Sequence, residues 1–350
     1  MFLLVILNNY LFDSFSDNGD NIQGDNEFGK SSVISGNKSV NSEEEISILD
    51  ERKWLIKSPM PTSRSGAAVA TVDGKIYVIG GYNAEGYLIQ FAINERYDPQ
   101  TDKWEEMAPM PQARSGAVAA VVDGKIYVIG GLDKDNNLLS QNERYNPKTN
   151  IWEVLSPMPT PRAAPAIGVV DKKIYVIGGG GNPYIYEISA ANEEYDPYTN
   201  KWTAKKFLSS PRWRPAFSVF DDKIYVIGGW GENGTTGLNE RYDPETDEWE
   251  TLAPMPTSRT AATAQLVDKK IYVIGGYKIV AADMVFLSKN EEYNIALDRW
   301  TTRIHTPILR AGIAGGVVNN KIYIIGGVSK LDMNSDGMYS SLNEEYKPSE

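Results

Sequence analysis

The sequence predicts an all-β fold of six four-stranded antiparallel sheets closed into a circle, and three observations carry that reading. The heptapeptide Lys-Ile-Tyr-(Val/Ile)-Ile-Gly-Gly occurs six times, with its first glycine at Gly80, Gly130, Gly178, Gly228, Gly275 and Gly326, at intervals of 50, 48, 50, 47 and 51 residues. A near-constant period of that length marks stacked copies of one supersecondary unit. Tyrosine and tryptophan recur seven residues apart, at Tyr97/Trp104, Tyr145/Trp152, Tyr195/Trp202, Tyr242/Trp249 and Tyr293/Trp300. The sixth unit reaches Tyr346 without a following tryptophan, whereas Glu51-Arg52-Lys53-Trp54 stands ahead of the first. The N-terminal strand is therefore expected to complete the last sheet, which removes the open edges that a linear array would leave.

The first unit shows the elements in order. Ser65–Val72 is small and apolar, suited to a buried strand (strand a), and Asp73-Gly74 is a hairpin signal. Lys75–Ile79 is β-branched and aromatic (strand b) and ends at Gly80-Gly81. A variable loop leads to a third strand, Ala92–Tyr97 (strand c), closed by the turn Asp98-Pro99-Gln100-Thr101-Asp102. Lys103–Met107, with Trp104, is the fourth (strand d), and Pro109-Met110-Pro111 leads to the next unit. The a–b turns of the next three units are placed at Asp123-Gly124, Lys172-Lys173 and Asp222-Lys223. Short antiparallel strands at this spacing predict a six-bladed β-propeller over residues 46–350.

The six Gly-Gly pairs, six tyrosines and six tryptophans resemble the kelch-repeat family. That resemblance implies a propeller that binds proteins in most members and is an enzyme in a minority, so it speaks for architecture more than for function.

Length alone, 350 residues, would suggest two domains, but the repeat assigns about 300 residues to one unit. The net charge is −11; residues 1–50 hold nine acids and two bases, leaving only −4 on the repeat body. No clustered basic surface for nucleic acid is indicated. There is no cysteine and one histidine, His305, which removes disulfides, thiolate chemistry and most His-based metal sites from consideration. The run MFLLVILNNYLF at 1–12 is too short to span a bilayer and resembles the apolar part of a signal peptide without a basic leader, so export to the surface or medium is one expectation and a cytoplasmic location the other. Residues 13–45, rich in Asn, Asp, Ser, Gly and Glu, read as a disordered linker.

Topology selects a binding face. In a blade a–b–c–d the a–b and c–d turns share one end, and the b–c loops and d–a connections share the other. The b–c loops vary: from the first glycine to the tyrosine of strand c is 17, 15, 17, 14, 18 and 20 residues. They carry large side chains, among them Tyr82, Tyr87, Phe91, Tyr184, Tyr186, Trp230, Tyr277, Met284, Phe286, Met333, Met338 and Tyr339. Diversity on a uniform scaffold is how loops host binding sites, and half of these residues are expected to pack onto the blades instead. An arginine begins strand a in every blade: Arg64, Arg114, Arg162, Arg212, Arg259 and Arg310. Two readings compete. The guanidiniums ring the channel mouth and receive an acidic ligand, as the family resemblance also suggests, or each pairs with a repeated acid (Glu95, Glu143, Glu193, Glu240, Glu291, Glu344). Blade 4 stands apart, with Arg212-Trp213-Arg214 and with Trp230 opening its b–c loop, and is the most distinctive cluster.

Asp332, Asn334 and Asp336, followed by Gly337, alternate as oxygen ligands do at the start of a calcium loop, but position twelve is Asn343; the other reading is a solvated turn. Asp133 to Asn137 is a lesser version of the same pattern. The Gly-Gly pairs follow a strand but precede no helix, which argues against phosphate loops. The expected function is a monomeric, non-enzymatic module, without an organic cofactor, binding a protein segment or glycan at the mouth. The alternative is an epimerase or mutarotase of the sialic-acid type acting on an acidic sugar, for which Glu187 and Glu232 lie on the appropriate face. An enzyme would require an isolated, partly buried Glu–Arg pair in a closed pocket.

Overall fold

The computed structural model describes residues 53–84, 89–181, 188–281, 283–329 and 339–348. They form six four-stranded antiparallel blades. Blade 1 comprises Ala68–Val72, Lys75–Ile79, Asn94–Asp98 and Lys103–Met107. Blade 2 is Val118–Val122, Lys125–Ile129, Asn142–Asn146 and Ile151–Val154, and blade 3 is Ala166–Val170, Lys173–Ile177, Asn192–Asp196 and Lys201–Lys205. Blade 4 is Ala216–Phe220, Lys223–Ile227, Asn239–Asp243 and Glu248–Leu252, and blade 5 is Thr263–Val267, Lys270–Ile274, Asn290–Asn294 and Arg299–Arg303. Blade 6 joins Ala314–Val318, Lys321–Ile325 and Asn343–Tyr346 to Trp54–Lys57 from the other end of the chain. Trp54 lies directly opposite Tyr346, their rings stacked at 4.7 Å, where Tyr97 and Trp104 stand 5.0 Å apart in blade 1. The innermost strands touch in a closed order, blade 1 to 6 and back to 1.

Position in the blade explains composition. Strand b is buried along almost its whole length because both its faces meet a neighbouring blade, hence the unbroken Ile-Tyr-Val-Ile run. The innermost strands are small (Ala-Val-Ala-Thr-Val in blade 1) because six of them converge on one axis. Tyrosine hydroxyls lock adjacent blades through the c–d corner. Tyr97 donates to Asp102 Oδ1, which also accepts the Ser58 N–H, and Trp104 Nε1 donates to the Ser58 carbonyl. Blades 2 to 5 repeat this with Asn150, Asn200, Asp247 and Asp298. Trp54 Nε1, unlike Trp104 Nε1, is buried without an acceptor among the described residues.

Three details differ from the sequence reading. The a–b turns of blades 3 and 4 fall one residue earlier, at Asp171-Lys172 and Asp221-Asp222, because Lys173 and Lys223 already pair with Val170 and Phe220. Both residues of these turns have positive φ (48° and 61° in blade 3), the two-residue geometry that follows strand twist. Strand a of blade 1 starts at Ala68, not Ser65: Ser65 instead bridges to Tyr82 in the b–c loop. The b–c loops of blades 1, 4 and 5 carry extra hairpins, Tyr82–Asn83 with Ile89–Gln90, Trp230–Gly231 with Gly234–Thr235, and Tyr277–Val280 with Asp283–Phe286. No described helix is long and apolar enough to cross a membrane. The apolar run at 1–12 and the linker at 13–45 lie outside the described residues.

Candidate functional site: the channel mouth

The six strand-start arginines lie inside the blades, not around the mouth, with at most 1% of each residue exposed. Arg64, Arg114 and Arg162 pair with Glu95, Glu143 and Glu193 at 2.5, 2.6 and 2.6 Å. Arg212, Arg259 and Arg310 pair in the same way with Glu240, Glu291 and Glu344. In blades 1 to 5 Nη2 also donates to the valine carbonyl of strand b, at 2.9 Å for Val78. Burial drives the Arg64 guanidinium below its ordinary range while Glu95 pulls it back up, and burial raises Glu344 despite Arg310. The expectation of a ring of exposed guanidiniums is thus replaced by six internal ion pairs. The glutamate on strand c, two residues before the tyrosine, aims at the arginine of its own blade.

The Gly-Gly pairs complete the same joint. Each arginine carbonyl accepts the N–H of the second glycine of the preceding blade, as Gly81 to Arg114 at 3.0 Å and Gly327 to Arg64 at 2.9 Å. The first glycine leaves no room: a Cβ on Gly80 would stand 2.6 Å from the Arg114 carbonyl oxygen. Its φ of 67° also favours glycine.

The mouth itself is built two residues further on. Gly66, Gly116, Ala164, Arg214, Ala261 and Gly312 all have positive φ, between 49° and 64°. Each donates its N–H to the carbonyl of the counterpart in the neighbouring blade: Gly116 to Gly66, Ala164 to Gly116, Arg214 to Ala164, Ala261 to Arg214, Gly312 to Ala261 and Gly66 to Gly312, at 2.6 to 3.1 Å. Six backbones thereby close a hydrogen-bonded ring around the axis. Five members are glycine or alanine, and the sixth is Arg214.

Arg214 has no carboxylate partner among the described residues. Its guanidinium carbon lies 4.3 Å from the Trp213 ring centroid, a cation–π contact. Trp213 exchanges two backbone hydrogen bonds of 2.8 Å with Trp230. Arg214 also lines a cleft with Tyr82, Tyr277, Met284, Phe286 and Tyr339. Burial lifts the Tyr277 and Tyr339 hydroxyls above their ordinary range, while Arg214 acts on both in the opposite direction. Tyr82 and Tyr339 meet edge to face at 5.5 Å. The Trp213 indole N–H is buried without an acceptor among the described residues, beside Gly181.

Below the ring runs a central channel of about 540 Å³. Its walls are the innermost strands, and Arg214 is the one charged residue among the described residues that line it.

The structure therefore brings Trp213, Arg214 and Trp230 together at the mouth and withdraws the six strand-start arginines from it. Of the large loop residues, Tyr277, Phe286 and Tyr339 are buried and Tyr82, Phe91, Trp230 and Met284 half-buried. Tyr87, Tyr184, Tyr186, Glu187, Met333, Met338 and the candidate calcium ligands Asp332, Asn334 and Asp336 lie outside the described residues. Among the described residues no group of three or more His, Asp or Glu is placed to hold a metal ion. Glu232 is exposed. The ring was missed from sequence, although Gly or Ala two residues after each arginine, broken only by Arg214, is a pattern that could have shown it.

A family model described as the Attractin/LZTR1 β-propeller matches residues 33–241 and 76–336, the two overlapping registers that a repeat permits. No curated protein sequence matches the chain. Among solved structures, that of YjhT superposes with a TM-score of 0.70 at 20% identity, covering 81% of this chain and 95% of that one. A total of 870 chains of known structure match, so the likeness identifies an architecture and no activity.

Proposed function

The chain belongs to the Attractin/LZTR1 β-propeller family, and on that premise we propose that it is a non-enzymatic interaction module binding a protein segment or a glycan, with an acidic group, at the mouth of its channel. One observation carries this reading: Arg214, stacked on Trp213, is a cation without a described carboxylate partner in a ring otherwise made of glycine and alanine. A φ of 51° costs a non-glycine residue roughly 1 kcal/mol, a cost that Ala164 and Ala261 share, so the charge of Arg214 and not its backbone sets it apart. Half-buried aromatic residues beside a cation suit both peptide side chains and sugar faces.

The Glu–Arg pairs do not favour the mutarotase alternative, because six equal, internal copies present no reacting surface. The test is a thermal-shift and calorimetric panel on the full chain with acidic peptides, acidic sugars such as sialic acid, and neutral oligosaccharides. Ligand binding to the folded form raises the midpoint with saturation. We expect an acidic ligand to raise it and Arg214→Ala to abolish the rise; equal responses of wild type and Arg214→Ala would remove the site from the mouth.

A further inference from the structure

We propose that the channel beneath the mouth is itself a binding site for a linear aliphatic acid, with the carboxylate on Arg214 and the hydrocarbon chain along the axis. The inference shares Arg214 with the mouth reading but adds a ligand class and a second region of the molecule.

The chemistry of the walls points there. The half-buried residues of the innermost strands turn toward the axis: Val69 in blade 1, Val121 in blade 2, Val169 in blade 3, Phe217 and Val219 in blade 4, and Val317 in blade 6. The polar exceptions are Thr71 in blade 1 and the pair Thr263 and Gln265 in blade 5, and that pair spends part of its capacity on itself at 2.7 Å. A bore of about 540 Å³ with mostly apolar walls offers a polar chain few partners, whereas hydrocarbon removed from water there is stabilised. Each of the six innermost strands has five residues, a run of about 16 Å, which roughly ten carbons of an extended chain would fill.

Charge sets the orientation. Arg214 stands at one end of the bore. The opposite face carries the a–b turns, where Asp73, Asp123, Asp171, Asp221, Asp222 and Asp268 are mixed with Lys172, Lys269 and the lysines that open each strand b, and where Asp123 pairs with Lys172 at 3.1 Å. A carboxylate entering tail-first from the mouth stops at Arg214, whereas the lining below it holds, among the described residues, no second cation to reverse that orientation. The guanidinium offers two parallel donors to a carboxylate.

Calorimetry on the full chain with acetate, hexanoate, octanoate and decanoate, each below its micelle concentration, tests the inference. Affinity is expected to rise about fourfold per added methylene, the value of burying one CH₂ group. Decanol should bind regardless of Arg214→Gln, and decanoate should weaken in that variant. Ala119→Phe, which narrows the bore, should flatten the chain-length dependence while sparing acetate. If that variant fails to fold, Val169→Phe serves the same purpose from another blade. Affinity independent of chain length overturns the channel inference and leaves the mouth reading intact. Chain-length dependence that survives both bore-filling substitutions places the acid on the outer surface and overturns it as well. Binding of decanol with loss of every acidic ligand, short or long, overturns the Arg214 reading and the proposed head-group contact together.

Discussion

Two six-membered rings, one of arginine–glutamate pairs and one of backbone hydrogen bonds, lie within a few residues of each other in this chain, and they differ in symmetry. The lower ring is uniform: six arginines, six glutamates and six glycine clasps. The upper ring is uniform except at Arg214. Repetition around a closed propeller is what joint-making requires, because every seam poses the same packing problem. A ligand breaks that symmetry, so a binding site is to be sought where one blade departs from the rest.

The comparison breaks most visibly if the lower ring tolerates loss. Arg162→Ala leaves Glu193 buried without its counter-charge, and removing one partner of a buried pair costs about 3–5 kcal/mol. Chemical denaturation should show that loss in the midpoint. An Arg162→Ala protein as stable as wild type would mean that the internal pairs are dispensable and that their repetition has another origin.

Next in size is the glycine clasp. Gly80→Ala places a methyl group 2.6 Å from the Arg114 carbonyl oxygen at a φ of 67°. Left-handed backbone and overpacking together cost about 2–4 kcal/mol. The same substitution at Gly74, also at positive φ but with nothing within 4 Å, should cost only the backbone part. The difference between the two melts measures the seam itself.

Arg214→Gly should have the opposite sign. Relief of a non-glycine residue at φ 51° is expected to leave stability unchanged or raise it by up to about 1 kcal/mol, while removing the mouth cation. Marked destabilisation by Arg214→Gly would assign Arg214 to the scaffold and weaken the contrast on which the functional reading stands.

Much of this contrast was legible beforehand, for a physical reason. Trp54 opposite Tyr346 could be foreseen because closure forces the missing strand to come from the other end of the chain. The Gly-Gly pairs and the Tyr–Trp spacing encode contacts that depend on local register alone. The destination of the arginines was not decidable in the same way. Whether Arg64 points at Glu95 or at the axis depends on a side-chain direction that spacing leaves open, and both readings used the same residues. The ring escaped because it is made by backbone. The two-residue turns of blades 3 and 4 were misplaced by one position because Asp-Lys-Lys and Asp-Asp-Lys offer no glycine to fix them.

The smallest effect separates blades that look alike. At the c–d corner blades 1 and 4 use Asp102 and Asp247, where blades 2 and 3 use Asn150 and Asn200, in the same bonds to a tyrosine hydroxyl and a backbone N–H. Burial alone would raise the Asp102 and Asp247 carboxyls. The hydrogen bonds from Tyr97 and Ser58, and from Tyr242 and Lys206, outweigh it and hold both below the ordinary carboxylate range. A carboxyl depressed in the folded state contributes stability above its unfolded pKa and loses it as pH falls through the folded value. Asn at these corners keeps the acceptor and does not titrate. The double variant Asp102→Asn/Asp247→Asn should therefore match wild type at neutral pH and move the acid-unfolding midpoint down by about a few tenths of a pH unit. A drop in neutral-pH stability instead would show that the negative charge, and not only the acceptor oxygen, holds these two seams, and blades 1 and 4 would then differ from blades 2 and 3 in mechanism as well as in residue.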